Sequence, residues 1–165
     1  MFSYRSLAFL GLAICVSAML FAVLYLERTL YLDPCPLCIL DRVVIMALGA
    51  VFLLAFLHGP ITVFTKIYGF VCIVLSSIGI ALASRHIWLQ NLPKDQVPEC
   101  GPDLYFMLDT LPLFETLKKT LTGSGSCADV SWTFADLTIP EQTLILFVIL
   151  LILSVIQTIR PRKVL

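Results

Sequence analysis

LFAVLYLERTLYLDPCPLCILDRVVIMALGAV, Leu20–Val51, holds the end of one apolar run, a short polar break and the start of another. The break carries two cysteines three residues apart, Cys35 and Cys38, each preceded by a proline or followed by apolar residues, with Arg42 four residues after Cys38. The runs on either side fix the solvent. Leu7–Leu26 has no charge, and Val43–Leu57 is apolar to His58. Two more runs follow, Ile67–Ser84 and Leu144–Ile159, the last extended by its flank to about Pro140. A bilayer core roughly 30 Å thick needs about 20 helical residues. The second and fourth runs are short and must borrow from their flanks. With 59% hydrophobic and 13% charged residues in 165, a soluble core could not hide this much apolar surface. The expectation is a single all-α membrane domain, 1–165. It is a four-transmembrane-helix bundle with spans at about 7–26, 43–57, 67–84 and 140–159.

Four spans put both termini on one side with the loop from His58 to Lys66. That side carries Arg5, Lys66, Arg160, Arg162 and Lys163 on short segments, and all eleven acids fall on the other side. Short basic segments mark the cytoplasmic face. The first run is too long for a signal-peptide core and lacks a small-residue cleavage site, so it is read as a span. Two outer loops result, about 27–42 and 85–139. Cys35 and Cys38 lie in the first, Cys100 and Cys127 in the second, on the side where disulfides persist. Cys15 and Cys72 fall within spans and are read as core-filling thiols. A formal net charge of zero gives no reason to expect nucleic acid.

Roughly fifty residues is long for a mere connector. Leu104, Met107, Leu108, Leu111, Phe114, Leu117 and Leu121 recur at helical spacing, so the second loop is expected to carry a short helix broken at Pro112. It would lie in the membrane interface or pack on the bundle. Pro98, Gly101 and Pro102 hold Cys100 in a turn, and Gly123–Ser126 is a short flexible patch before Cys127. Thr138 and Glu141 have capping-box spacing at the start of the last span.

Three chemistries compete for the CxxC. A disulfide across it closes almost no loop, so as a staple it stabilises little. Zinc would need Cys35, Cys38, Cys100 and Cys127 as thiolates on an oxidising face, and the second pair lacks the spacing. Thiol–disulfide exchange suits both pairs. Cys38 falls in the first turn of span two, where helix N–H groups and the Arg42 cation stabilise charge on sulfur. His86, beside Arg85 and Trp88, is either a boundary polar residue or, with Arg42, part of a site at the outer membrane edge. The four outer cysteines allow three pairings.

The outer CxxC with arginine four residues on, SRHIWLQNLP after span three, the Pro- and Gly-flanked Cys100, and SCADVSW around Cys127 together resemble the DsbB family. This family comprises the quinone-dependent disulfide-generating proteins of the Gram-negative inner membrane. The resemblance covers nearly the whole chain. It implies redox-active disulfides Cys35–Cys38 and Cys100–Cys127, and a DsbA-type thioredoxin-fold periplasmic oxidase as electron donor, attacking at Cys100. Cys127 then engages Cys35. Cys38 contacts the quinone, with Arg42 and His86 beside it. The acceptor is ubiquinone, or menaquinone when oxygen is scarce. No resident metal is implied. Other readings are a DsbI-like paralogue with a dedicated partner, a vitamin K epoxide reductase-like enzyme, whose CxxC would come late in the chain, and a non-enzymatic membrane scaffold.

Overall fold

Prolines, caps and apolar runs divide the chain into four long helices. The computed structural model describes residues 4–59, 62–93, 107, 109–110, 112–122, 125–128, 130, 132–134 and 136–159. Helix α1, Tyr4–Leu20, runs on as a wider π-helical segment, Phe21–Glu27. Helix α2 is Pro36–His58, α3 is Thr62–Gln90, and the last long helix, α6, is Ile139–Ile159. All four are long and apolar enough to cross a membrane, and only 22% to 33% of each span's most apolar window is buried inside the protein. The remaining faces show Phe9, Phe70 and Ile152 more than half exposed. In water that surface would drive aggregation; in lipid it is the ordinary outer face of a bundle. The four-helix membrane fold expected from the sequence is the fold observed.

Inside, each helix gives a narrow stripe. Cys15 of α1, Ile45, Leu48 and Phe52 of α2, Cys72 and Ala83 of α3, and Phe147 and Leu150 of α6 form one core cluster. Cys15 and Cys72 are 2% and 1% exposed and fill that core, as expected. Contact between helices in lipid depends on close approach. Gly11 provides it on α1, where an added Cβ would come within 2.7 Å of the Phe52 ring.

The helices run past the expected spans at several ends, and the extensions at the site end have local reasons. Helix α2 starts at Pro36, seven residues before the apolar run. Cys35 is its N-cap, in extended geometry, with Sγ accepting from the Cys38 N–H at 3.4 Å, and Pro36 occupies the first turn, where a missing N–H costs nothing. Helix α3 passes Ser84 and ends at Gln90 because its polar residues find partners. The Arg85 guanidinium stacks 4.2 Å from the Trp88 ring centre and donates to the Leu121 carbonyl. Asn91 closes the end by bonding back to Ile87. His86 is therefore a helical residue, not the start of a loop. Helix α1 reaches Glu27, where wide i→i−5 bonding continues through Arg28 to Val23 and Leu30 to Tyr25.

The second loop also carries structure. Met107, Asp109 and Thr110 are helical, Pro112 is not, and helix α4 begins at Leu113 and ends at Thr122. The break expected at Pro112 is present. A four-residue helix α5, Gly125–Ala128, holds Cys127. Strands β1, Thr133–Phe134, and β2, Leu137–Thr138, form a tight hairpin ahead of α6, with Thr133 opposite Thr138. Asp136 takes the positive φ of 63° that this turn requires. Glu141 accepts from the Thr138 N–H at 2.7 Å and from its hydroxyl at 3.0 Å, so the expected cap is built, chiefly through the carboxylate.

Candidate functional site

The end of α1, the start of α2, the end of α3 and the start of α6 meet at one end of the bundle, and the cysteines gather there. Cys35 and Cys38 share the first turn of α2, with their sulfurs 3.0 Å apart. His86 comes from α3, 3% exposed, with Nε2 3.7 Å from the Cys35 sulfur. The same nitrogen lies 3.1 Å from the Cys127 carbonyl. A carbonyl can only accept, so Nε2 carries the hydrogen and donates. Cys127 is fully buried against Leu37, Leu82 and Leu89; Gly123 and Ser124 of the expected flexible patch lie outside the described residues. One side-chain donor atom each of Cys35, His86 and Cys127 lies within 4.8 Å of the other two. Two loops more than ninety positions apart thus bring one thiol each to a single imidazole. Cys100, the fourth expected residue, lies outside the described residues.

A cavity of about 180 Å³ opens beside this group. Ala18, Phe21, Ala22 and Leu26 of α1, Ile45 of α2 and Leu146 of α6 supply apolar walls. Cys38, Asp41, Arg42, His86 and Gln90 supply polar groups, and Trp132 closes one side. Trp132 belongs to a run of rings, its centre 6.0 Å from those of Phe21, Tyr25 and Phe134. Greasy walls with a few convergent polar atoms suit a flat apolar ring that carries polar substituents. Cys38, Arg42 and His86, expected together from the sequence, all line this cavity.

Two features escaped the sequence. Arg42 does not stand alone: its guanidinium forms an ion pair with Glu27 at the end of α1, a residue read only as a loop acid. Asp41, one turn beyond Cys38, was not singled out at all. It is 4% exposed and lines the cavity, and its Oδ1 has no hydrogen-bond partner among the described residues. The signal was available: an acid in the second turn of an apolar span must face something other than lipid.

The chain matches the family model described as Disulfide bond formation protein DsbB over residues 4–157. The chain belongs to the DsbB family. Among curated relatives, the Disulfide bond formation protein B of Nitrosococcus oceani is 49% identical over 155 residues, covering 94% of this chain and 91% of that protein. The protein of the same description from Saccharophagus degradans is 46% identical over 158 residues, covering 96% and 95%. That from Marinobacter nauticus is 47% identical over 151 residues, covering 91% and 90%. As a DsbB-family protein the chain is an integral membrane protein of disulfide bond formation, and the cysteine cluster at the bundle end is the place to look for its chemistry.

Proposed function

We propose that this DsbB-family protein reoxidises a soluble DsbA-type dithiol oxidase and passes the electrons to a membrane quinone. The observation that carries this reading is the approach of Cys127 and Cys35, from separate loops, beside a cavity that Cys38 lines. In this scheme the cysteine-bearing end faces the periplasm across the inner membrane, and the termini are cytoplasmic. The partner's thiolate attacks Cys100 of the Cys100–Cys127 disulfide, and Cys127 leaves as thiolate. The partner's second thiol displaces Cys100, and the partner departs oxidised. The Cys127 thiolate then attacks Cys35, breaking the Cys35–Cys38 bond and freeing Cys38. Attack by the Cys100 thiolate on Cys127 restores the loop disulfide and leaves Cys35 and Cys38 reduced. Each exchange breaks one S–S bond and forms one. Quinone, when bound, accepts the two electrons as the Cys35–Cys38 bond re-forms.

The residues around this route have separable tasks. His86 donates from Nε2 to the Cys127 carbonyl while lying 3.7 Å from the Cys35 sulfur, and so keeps the Cys127 segment beside Cys35. Arg42, oriented by Glu27, presents its cation to the cavity. Phe21, Trp132 and Leu146 exclude water. The test uses purified protein in detergent, a reduced DsbA-type donor and ubiquinone, followed by loss of quinone ultraviolet absorbance. Wild type turns over and Cys38→Ser does not. Turnover that persists in Cys38→Ser, or none in wild type with any quinone, contradicts the proposal.

Arg42→Met separates the two ends of the route. A charge-assisted hydrogen bond contributes about 1.5–3 kcal/mol, so the quinone KM is expected to rise by roughly ten- to a hundredfold. Thiol exchange with the donor, measured without quinone by quenched alkylation, stays within about twofold. An unchanged quinone KM removes Arg42 from the binding site.

A further inference from the structure

Asp41 has no task in the electron route, yet among the described residues it is the one acid buried in the cavity wall. Asp33 also lines that cavity but is exposed. Leaving a buried polar atom without a partner is costly, and such atoms gather where a ligand completes the bonding. The groups around Asp41 narrow the choice of ligand atom. Arg42 is paired with Glu27, and the His86 Nε2–H is held by the Cys127 carbonyl. Asp41 Oδ1 remains open among the described residues. A quinone carbonyl oxygen only accepts hydrogen bonds. Two acceptors without a hydrogen between them repel, so a carboxyl meets that oxygen favourably only by bringing the hydrogen itself.

We propose that Asp41 is the proton donor to the acceptor in this cavity, giving a proton to the carbonyl oxygen on its side as the Cys35–Cys38 disulfide forms. This rests on the reading of the cavity as a quinone site. The chemistry needs a proton source as well as an electron source. When Cys35 and Cys38 become a disulfide, two S–H bonds break, one S–S bond forms, and two electrons and two protons leave. Quinone becoming quinol takes up both electrons and both protons, one on each oxygen. Asp41 gives one proton and is recharged by one of the two that the thiols release into the cavity. The other released proton goes to the second oxygen, so the carboxyl ends the cycle as it began. His86 Nδ1 is also buried without a hydrogen-bond partner among the described residues, but in the neutral tautomer that donates from Nε2 to the Cys127 carbonyl it carries no hydrogen to give, and a guanidinium does not release protons in proteins. A positioned general acid accelerates proton transfer by about 10² to 10⁴-fold.

The test uses the full chain in detergent on a Trp88→Phe background, so that Trp132 is the remaining tryptophan. Quenching of Trp132 by ubiquinone reports binding. Single-turnover reduction of added ubiquinone by the dithiol form reports chemistry, in light and heavy water. Asp41→Asn keeps shape and removes the proton. Its expected signature is a quinone Kd within about threefold of wild type and a reduction rate down about a hundredfold or more, with a changed solvent isotope effect. Asp41→Glu recovers much of the rate. In infrared difference spectra of protein with carbon-13-labelled aspartate, a carboxylic C=O band that changes on quinone reduction is expected in wild type and absent in Asp41→Asn. Wild-type reduction rates in Asp41→Asn overturn the proposal and leave the quinone reading standing. Should the Asn variant not fold, a wild-type infrared spectrum without a labelled carboxyl band overturns it equally. If wild type neither quenches with nor reduces quinone, the underlying reading fails, and this proposal falls with it.

Discussion

Replacing Cys35 by serine is expected to abolish coupled turnover, to below about a thousandth of wild type, a loss of roughly 4 kcal/mol in transition-state terms. Cys35 is the sulfur through which both halves of the proposed route pass. It lies 3.0 Å from the Cys38 sulfur and within the 4.8 Å cluster that includes Cys127. A hydroxyl cannot form a mixed disulfide, so electrons arriving at Cys127 would have no onward bond to break. The fold should survive, because Cys35 also caps α2 and serine is a preferred N-cap residue. The oxygen takes over the bond from the Cys38 N–H, and His86 retains its bond to the Cys127 carbonyl. Anaerobic turnover with a reduced donor checks the first point, and circular dichroism with thermal melting in detergent checks the second. Turnover within tenfold of wild type would mean that Cys127 reaches Cys38 directly, and that the close approach to Cys35 is incidental.

The second large effect is on packing. Gly79→Ala is expected to destabilise the bundle by about 1–3 kcal/mol and to slow turnover, because the added methyl would collide with the Phe147 ring. Phe147 is fully buried, and α3 and α6 form the most extensive helix pair in the bundle, so neither side has open space. Lipid offers no hydrophobic push between helices, and their pairing depends on surfaces that fit. Gly69 has the same relation to Thr158 on the same pair of helices. His86 lies two turns beyond Gly79 on α3, so a displaced α3 moves the imidazole away from Cys35. Adding Phe147→Leu should restore most of the melting temperature and the rate. If Gly79→Ala melts like wild type, the α3–α6 contact is looser than described. If the double variant is worse than the single, the ring is not what the methyl meets.

Much of this was readable in the residues, and the limits have physical causes. Apolar runs reveal spans because lipid-facing and buried positions are both apolar, but they miss helix that continues past the hydrocarbon. The first two turns of α2 and the last two of α3 are such extensions, held by the Cys35 cap, by Pro36, by Arg85 on Trp88 and by Asn91. Cys38, Asp41, Arg42 and His86 all lie in these extensions, beyond the apolar runs themselves; only Cys38 and Arg42 were placed on the helix in advance, by the turn that follows the CxxC. The CxxC and its arginine were legible because spacing on one helix turn is local. The Arg42–Glu27 pair was not, because it joins the far end of α1 to the start of α2. The burial of Asp41 was not, because its surroundings come from four helices. The Pro112 break and the Thr138–Glu141 cap were legible because proline and capping chemistry act within one turn.

In the proposed route the cysteine pair on α2 delivers electrons to quinone in the cavity beside it. The most direct measurement removes every other donor. Protein carrying Cys100→Ser and Cys127→Ser is reduced, freed of reductant and mixed anaerobically with ubiquinone in a stopped-flow instrument. Quinone absorbance and the thiol state of Cys35 and Cys38 are followed together. The account predicts loss of one quinone per chain, in step with formation of the Cys35–Cys38 disulfide. Quinone that persists while Cys35 and Cys38 stay reduced would contradict it.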